Sequence, residues 1–410
     1  MLKLNPFKPG SLTPPGMFTG RVEELKTIER ALGQTRARVP THFLIHGERG
    51  IGKSSLLLYV KHLAQGGLDP IWLSEKLNFI VLNISLERSD GYVDVIKKIA
   101  REFEHQVAKR ENVKEFVKGV FDFVGRWKAM GIEYRPDPPK QTELLEELTS
   151  AFEAAIERIG IYIDGVLILI DEADKPGPEA GLGAFCKLFT ERLTNRGVGN
   201  VCLGMAGISP VVDILRKSHE SSPRVFELMG LEPLTEDERI RVLRRGLKEA
   251  EEINKMKTTI SSDAEVKISQ LSEGYPHFVQ QFAYCAFNAD IDNHIDLDDV
   301  MRGANDPQEG ALEQLASKYF HELYFDQIGS DEYRQVLRAM ADHLDGWVTK
   351  EDIRKATHLK ETTLGNAISA LRSREIIIPK RGVKGVYRLP TQSFAVWIRA
   401  YTARTKAAEI

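Results

Sequence analysis

At 410 residues, 42% hydrophobic and 28% charged, the chain is too long for one small core and too apolar for general disorder, so two or three globular domains are expected. Its three cysteines, Cys186, Cys202 and Cys285, are widely spaced without a CxxC pair, which argues against a disulfide framework or zinc site and for a reducing, cytoplasmic setting. The net charge of −3 is uneven: residues 331–410 carry 15 Lys+Arg against 9 Asp+Glu, a net +6, and the remainder carries 41 against 50, a net −9.

A basic tail on an acidic body suggests an anionic partner for the tail. No apolar run reaches the ~20 residues that span a bilayer, so no membrane partner is expected. Pro6, Pro9, Pro14 and Pro15 break the first twenty residues, which read as an extended arm and not as a signal peptide. A helix is expected from Arg21 to Leu32, then a strand from His42 to His46, a glycine-rich turn and a helix from Lys53. A second strand, Asn78 to Ile84, precedes an amphipathic helix from Gly91 to about Gln106. Residues 109–140 are charged, with Phe116, Val120, Phe123 and Trp127 at helical spacing, and read as a helical insertion. A helix from Gln141 to Ile159, a strand from Val166 to Ile170, a helix from Ala184 to Asn195 and a strand from Val201 to Ala206 follow. Strands alternating with helices predict an α/β fold with a parallel sheet. Residues 235–328 read as all helical. From Asp331 the pattern becomes three helices, a strand over 376–379, a basic turn over 380–385 and a return strand over 386–389. Phe394 and Trp397 read as core.

Gly47-Glu48-Arg49-Gly50-Ile51-Gly52-Lys53-Ser54 fits GxxxxGK[ST] at every fixed position, with Ser55 next, between an apolar strand and a helix. Glycines let a backbone wrap a phosphate with its N–H groups inward, and the following helix turns its positive end to the anion. Lys53 is placed to neutralise β- and γ-phosphates and Ser54 to bind Mg²⁺. Val166–Ile170, buried on both faces as a parallel strand is, delivers Asp171 and Glu172 to its C-terminal edge, where ligands of open α/β sheets bind. Asp171 suits the hydrated metal and Glu172 the attacking water, which predicts ATPase activity as well as ATP/ADP binding.

These residues together resemble the AAA+ P-loop ATPases, with the origin-recognition-like initiators and the STAND group of archaeal-type ATPases as the nearest branches. The resemblance implies four parts: an arm at 1–20, an ATPase core at 21–230 with the 109–140 insertion, an all-α lid at 231–328 and a winged helix at 329–410. Phe18, Gly20, Arg21 and Glu24 are similar to the family arm that lies on the adenine, the alternative being a plain linker that docks Phe18 in the core. Arg224 stands where the family often places an arginine finger acting on a neighbouring subunit; Arg192 and Arg196 are rivals, and a plain surface arginine is the alternative. Gly274-Tyr275-Pro276 resembles a nucleotide-packing GxP module, or else Pro276 merely begins a helix. Two departures weaken the match: His277 and Gln280 replace a sensor arginine, and the strand ending Gly207-Ile208-Ser209 lacks a strong sensor. Both favour slow turnover.

In the tail, Arg372, Arg374, Lys380, Arg381, Lys384 and Arg388 could contact phosphates of double-stranded DNA, with Thr362, Thr363 and Asn366 on the third helix facing bases. The resemblance equally allows the winged helix to contact its own ATPase core or a partner effector protein, and it implies self-association.

Overall fold

The computed structural model describes residues 3–15, 18–109, 141–160, 162–343, 346–374, 376–380 and 382–408. The expected 109–140 insertion lies, apart from Lys109, outside them. Two compact units emerge, one from residues 12–232 and the other from residues 3–11 together with 233–408. Among the described residues no helix is long and apolar enough to cross a membrane.

The 12–232 unit is built on five parallel strands in the order β2-β3-β4-β1-β5. They are β1 (His42–Gly47), β2 (Phe79–Ser85), β3 (Gly165–Asp171), β4 (Val201–Gly207) and β5 (Phe226–Leu231). Every residue from Gly165 to Ile170 is buried, as a central strand covered on both faces requires. The helices are α1 (Val22–Arg36), α2 (Lys53–Ala64), α3 (Tyr92–Ala108), α4 (Gln141–Ile159), α5 (Leu182–Asn195) and α6 (Val211–Ser218). One layer is held by Ile96, Ile99 and Phe103 of α3, which meet Leu145 and Phe152 of α4 and Phe185 and Phe189 of α5 over the sheet. Stacked and edge-on contacts join Phe103, Phe152, Phe185 and Phe189 into one aromatic column.

Two expectations shift here. Residues 226–231, where no strand was expected, form edge strand β5, registered on β1 from His42↔Phe226 to Gly47↔Leu231. Helix α1 continues one turn beyond Leu32 because Thr35 is fully buried and its hydroxyl donates to the Ala31 carbonyl.

The second unit contains α7 (Glu236–Asn254), α8 (Ser262–Ser272), α9 (Pro276–Ala289), α10 (Leu297–Asn305) and α11 (Ala311–Leu315), the last running into π-helical turns that end at Asp326. It continues through α12 (Asp331–Ala341), α13 (Lys350–Thr357), α14 (Glu361–Ser373) and α15 (Gln392–Ala408). The stretch 235–328 is not wholly helical: β6 (Thr259–Ile260) pairs in parallel with β7 (His294–Ile295). Towards the end, β8 (Val348–Thr349), β10 (Val386–Arg388) and β9 (Ile378–Pro379) form an antiparallel sheet with β10 in the middle. Thr349 and Asp352 form the capping box that starts α13.

One core runs through this whole unit, from Phe7 through Phe282 and Phe320 to Trp397. Phe394 and Trp397 are buried and stacked, as expected of core residues. Gly274 (φ +86°) lies against the chain at Pro233-Leu234, where an added Cβ would stand 2.6 Å from the Leu234 carbonyl oxygen. Only glycine combines that backbone angle with that approach.

Candidate functional site

The C-terminal edge of the parallel sheet carries both halves of the candidate site. After β1, Gly47 is buried, Glu48 and Arg49 are exposed, and Gly50 (φ +81°) and Gly52 (φ +102°) take left-handed angles that bend the backbone into a loop opening α2. Ile51, 1% exposed, plugs the loop into the core. Lys53 is the first helical residue, and its ammonium turns back to donate to the Gly47 and Glu48 carbonyls at 3.0 and 2.8 Å. Burial pushes the Lys53 amine below its ordinary value, and the charges of Asp174 and Asp171 partly restore it. Ser54 is half-buried, and the Ser55 hydroxyl accepts the Thr13 amide at 3.2 Å.

Arg21 is a tie within the loop's foundation. It is 6% exposed and donates to the Ile51 carbonyl at 3.0 Å and the Glu232 carbonyl at 2.6 Å, with Glu24 at 3.5 Å. Gly20 (φ +82°) turns the chain into it. Phe18 is half-buried, its ring 5.1 Å from that of Tyr59 on α2.

Asp171 ends β3, and one carboxylate oxygen accepts the Glu172 amide at 2.8 Å. Glu172 has φ +56°, unusual for a side-chain-bearing residue. Its carboxylate accepts the Ser85 hydroxyl at 2.8 Å from the end of β2 and pairs with Lys175 at 2.7 Å. Burial pushes the Glu172 carboxyl up, but the Lys175 and Ser85 hydrogen bonds and the Lys175 and Arg49 charges outweigh it and hold the group below its ordinary value. Asp174 accepts the Ile208 amide at 2.8 Å, bridging this turn to the end of β4. Ser85, Asp174 and Lys175 escaped the sequence reading; the only local hint was the acidic spacing Asp171…Asp174. Ser54 and Asp171 offer hard oxygen donors, the type that suits Mg²⁺, which prefers one or two protein ligands and retains waters.

The remaining expected residues are distributed as follows. Arg224 lies exposed on a 3₁₀ turn (Ser222–Val225), with no ion pair among the described residues. Its rivals are committed: Arg192 pairs with Glu146, and Arg196 with Glu146 and Glu153. Ser209 is exposed. Pro276 opens α9 at its first position. His277 buries Nε2 without a hydrogen-bond partner among the described residues, while the Gln280 side chain accepts the Lys8 amide at 3.0 Å.

In the tail, Thr362 and Asn366 on α14 are exposed and Thr363 is half-buried. Arg374 is spent on the Gln327 carbonyl, and Arg388 donates to the Leu389 and Pro390 carbonyls at 3.4 and 3.0 Å. Arg372, Lys380 and Lys384 are exposed and make no ion pair with a described residue; Arg381 lies outside the described residues.

The glycine loop, Lys53, Asp171 and Glu172 all lie within one stretch that a family model matches. Residues 17–201 match the AAA ATPase domain family. No curated protein sequence matches the chain. The ORC2 protein of Aeropyrum pernix in ADPNP–ADP complexes is 13% identical over 98% of both chains, with a TM-score of 0.54, a likeness of fold. Cdc6p from Pyrobaculum aerophilum shows 13% identity over 98% of both chains at a TM-score of 0.47. The Aeropyrum pernix ORC1 protein in complex with DNA shows 15% identity over 96% of this chain and 95% of its own, at 0.42. The AAA match stops at residue 201, short of the helical region and tail.

Proposed function

We propose that the protein is an AAA+ molecular switch that binds ATP, hydrolyses it slowly, and uses its nucleotide state to control self-assembly and DNA binding through a winged helix at residues 329–410. The observation that carries this reading is the glycine loop of residues 47–54 with Lys53 at the start of α2, set on the same sheet edge as Asp171 and Glu172. On binding ATP, the Lys53 ammonium exchanges the Gly47 and Glu48 carbonyls for phosphate oxygens. Ser54 and Asp171 would hold magnesium, which would supply neutralising charge for the triphosphate. Glu172 orients the attacking water and takes its proton. Arg224, unlike Arg192 and Arg196, is free to act on the site of a second copy. Slow turnover follows from Glu172 being occupied by Ser85 and Lys175.

The four-part division of arm, core, lid and winged helix belongs to this proposal. So does DNA as the tail's partner, supported by the +6 charge of residues 331–410 and by Arg372, Lys380 and Lys384 lacking acidic partners among the described residues. A STAND-like signalling ATPase is the second reading, with the winged helix held against its own chain or an effector protein. What favours it is the hydrogen bonding of the Gln392 amide to Glu273 and the Ser393 hydroxyl to the Leu271 carbonyl, which binds the tail to the helical region.

Calorimetry with ATP and magnesium should register binding that Lys53→Ala abolishes. Glu172→Gln should retain ATP unhydrolysed; undiminished turnover there removes Glu172 from the water-activating role. DNA affinity should fall steeply with salt and collapse in the Lys380/Arg381/Lys384→Ala triple variant. Unaltered DNA affinity in that variant transfers the case to the signalling reading.

A further inference from the structure

Trp347 stands apart from the other features of the tail. Its ring is 40% exposed just before β8, in a unit whose other tail tryptophan, Trp397, is fully buried. Two cations stand over it, the Lys380 ammonium 5.5 Å and the Arg388 guanidinium 5.6 Å from the ring centroid. The register explains the grouping: β10 pairs with β8 and β9 on either side, which brings Trp347, Arg388 and Lys380 to one face of the sheet. The cations differ in freedom. Arg388 is anchored by the Leu389 and Pro390 carbonyls, whereas Lys380 has no other side-chain partner among the described residues. Beside the ring opens a cavity of about 250 Å³, also lined by Glu273, His343, Gln392 and Arg388. That is below the roughly 300–1,000 Å³ of drug-sized sites and suits a single ring system.

An exposed indole bordered by cations, in a segment of net +6, has the chemistry of a platform for a planar group that carries negative charge nearby. We propose that Trp347 and the adjoining cavity form a site for an unpaired nucleobase of single-stranded DNA. The base stacks on the indole in place of the Lys380 ammonium, which moves to the neighbouring phosphate. Arg388 stays fixed beside the ring, and Gln392 and His343 offer hydrogen-bonding groups to the edge of the base. This deepens the DNA reading above and rests on it: it adds a preference for single-stranded or locally opened DNA over closed duplex, where no base is free to stack.

The test is the affinity of the full-length protein for a labelled oligothymidylate and for a duplex of the same length, titrated across salt. Trp347→Ala should weaken single-strand binding about tenfold, which is about 1.4 kcal/mol, with duplex binding little changed. Its salt slope should match wild type, because no charge is removed. Trp347→Phe should recover most of the loss. Lys380→Ala should instead lower the single-strand salt slope by about 0.7. Near-ultraviolet circular dichroism verifies that each variant is folded. If wild type binds DNA but Trp347→Ala leaves single-strand affinity intact, or lowers duplex and single-strand affinity equally, the stacking site is refuted and the DNA reading stands. If neither oligonucleotide binds, the DNA reading itself fails and the stacking site with it.

Discussion

Glu172 holds a left-handed backbone angle that costs a residue with a side chain about 1–2 kcal/mol, and its carboxylate is gripped by Ser85 and Lys175. Both donors favour the charged form, so the group stays ionised below the ordinary glutamate value of about 4.3. Removing a donor destabilises the carboxylate relative to the acid, which moves its titration upward. Lys175→Ala should therefore shift the acid limb of the single-turnover ATP hydrolysis rate to higher pH, while freeing Glu172 to engage water. A limb that does not move would mean that Lys175 has no hold on the reacting carboxylate. The two kinds of residue around this site differ in legibility. The placement of Lys53, Ser54, Asp171 and Glu172 at the sheet edge can be read from the sequence because they lie in contiguous motifs. Ser85 lies 87 residues from Glu172 and meets it only through the register of β2 on β3. No local pattern encodes that meeting.

At the scale of elements, buried strands and capped helices were legible, and β5, β6 and β7 were not. β3 announces itself as an unbroken apolar run, and α13 by its Thr349–Asp352 box. β5 is hidden because Glu227 is half-buried and Leu228 and Gly230 are exposed, which gives it neither a continuous apolar run nor clean alternation. β6 and β7 are two residues each, below any periodic signal. The glycine of the GxP sequence shows how a motif can have a structural cause. Gly274 is required by the passage of Pro233-Leu234, whose Leu234 amide donates to the Gly274 carbonyl at 2.8 Å. Gly365, inside α14, meets nothing within 4 Å of an added Cβ. Gly274→Ala should cost about 2–4 kcal/mol in urea unfolding, through the left-handed angle and a backbone clash together. Gly365→Ala should instead stabilise by about 0.5–1 kcal/mol. Equal effects at the two positions would refute the packing account of Gly274.

Across the whole molecule, the chain passes between its two compact units twice, near residues 11–12 and again near 232–233. Within the AAA-matched unit, both crossings are fastened to the phosphate loop and its helix. Thr13 donates to Ser55 after the first, and Arg21 grips the Glu232 carbonyl before the second while its other nitrogen holds Ile51. At the far end of the first crossing, Phe7 is 2% exposed, set edge-on to Phe287 and so close to α7 that a Cβ on Gly246 would stand 2.2 Å from its ring. Lys3, Asn5 and Lys8 add bonds to Asp290, Asn288 and Gln280. Residues 3–11, read from the sequence as part of an extended arm, are thus a structural part of the helical unit. Phe7→Ala removes an aromatic side chain from a closed pocket and should cost the helical unit about 3–5 kcal/mol. The unit at 12–232 keeps its own core and its candidate nucleotide site, so saturation with ADP and magnesium at about 100 times Kd should still raise its stability by about 2.7 kcal/mol. Two-probe unfolding, with fragments followed by pulse proteolysis, separates the units. Loss of the nucleotide effect in Phe7→Ala would show that nucleotide binding depends on an intact helical unit, and a helical unit of unchanged stability would show that the first residues are dispensable to it.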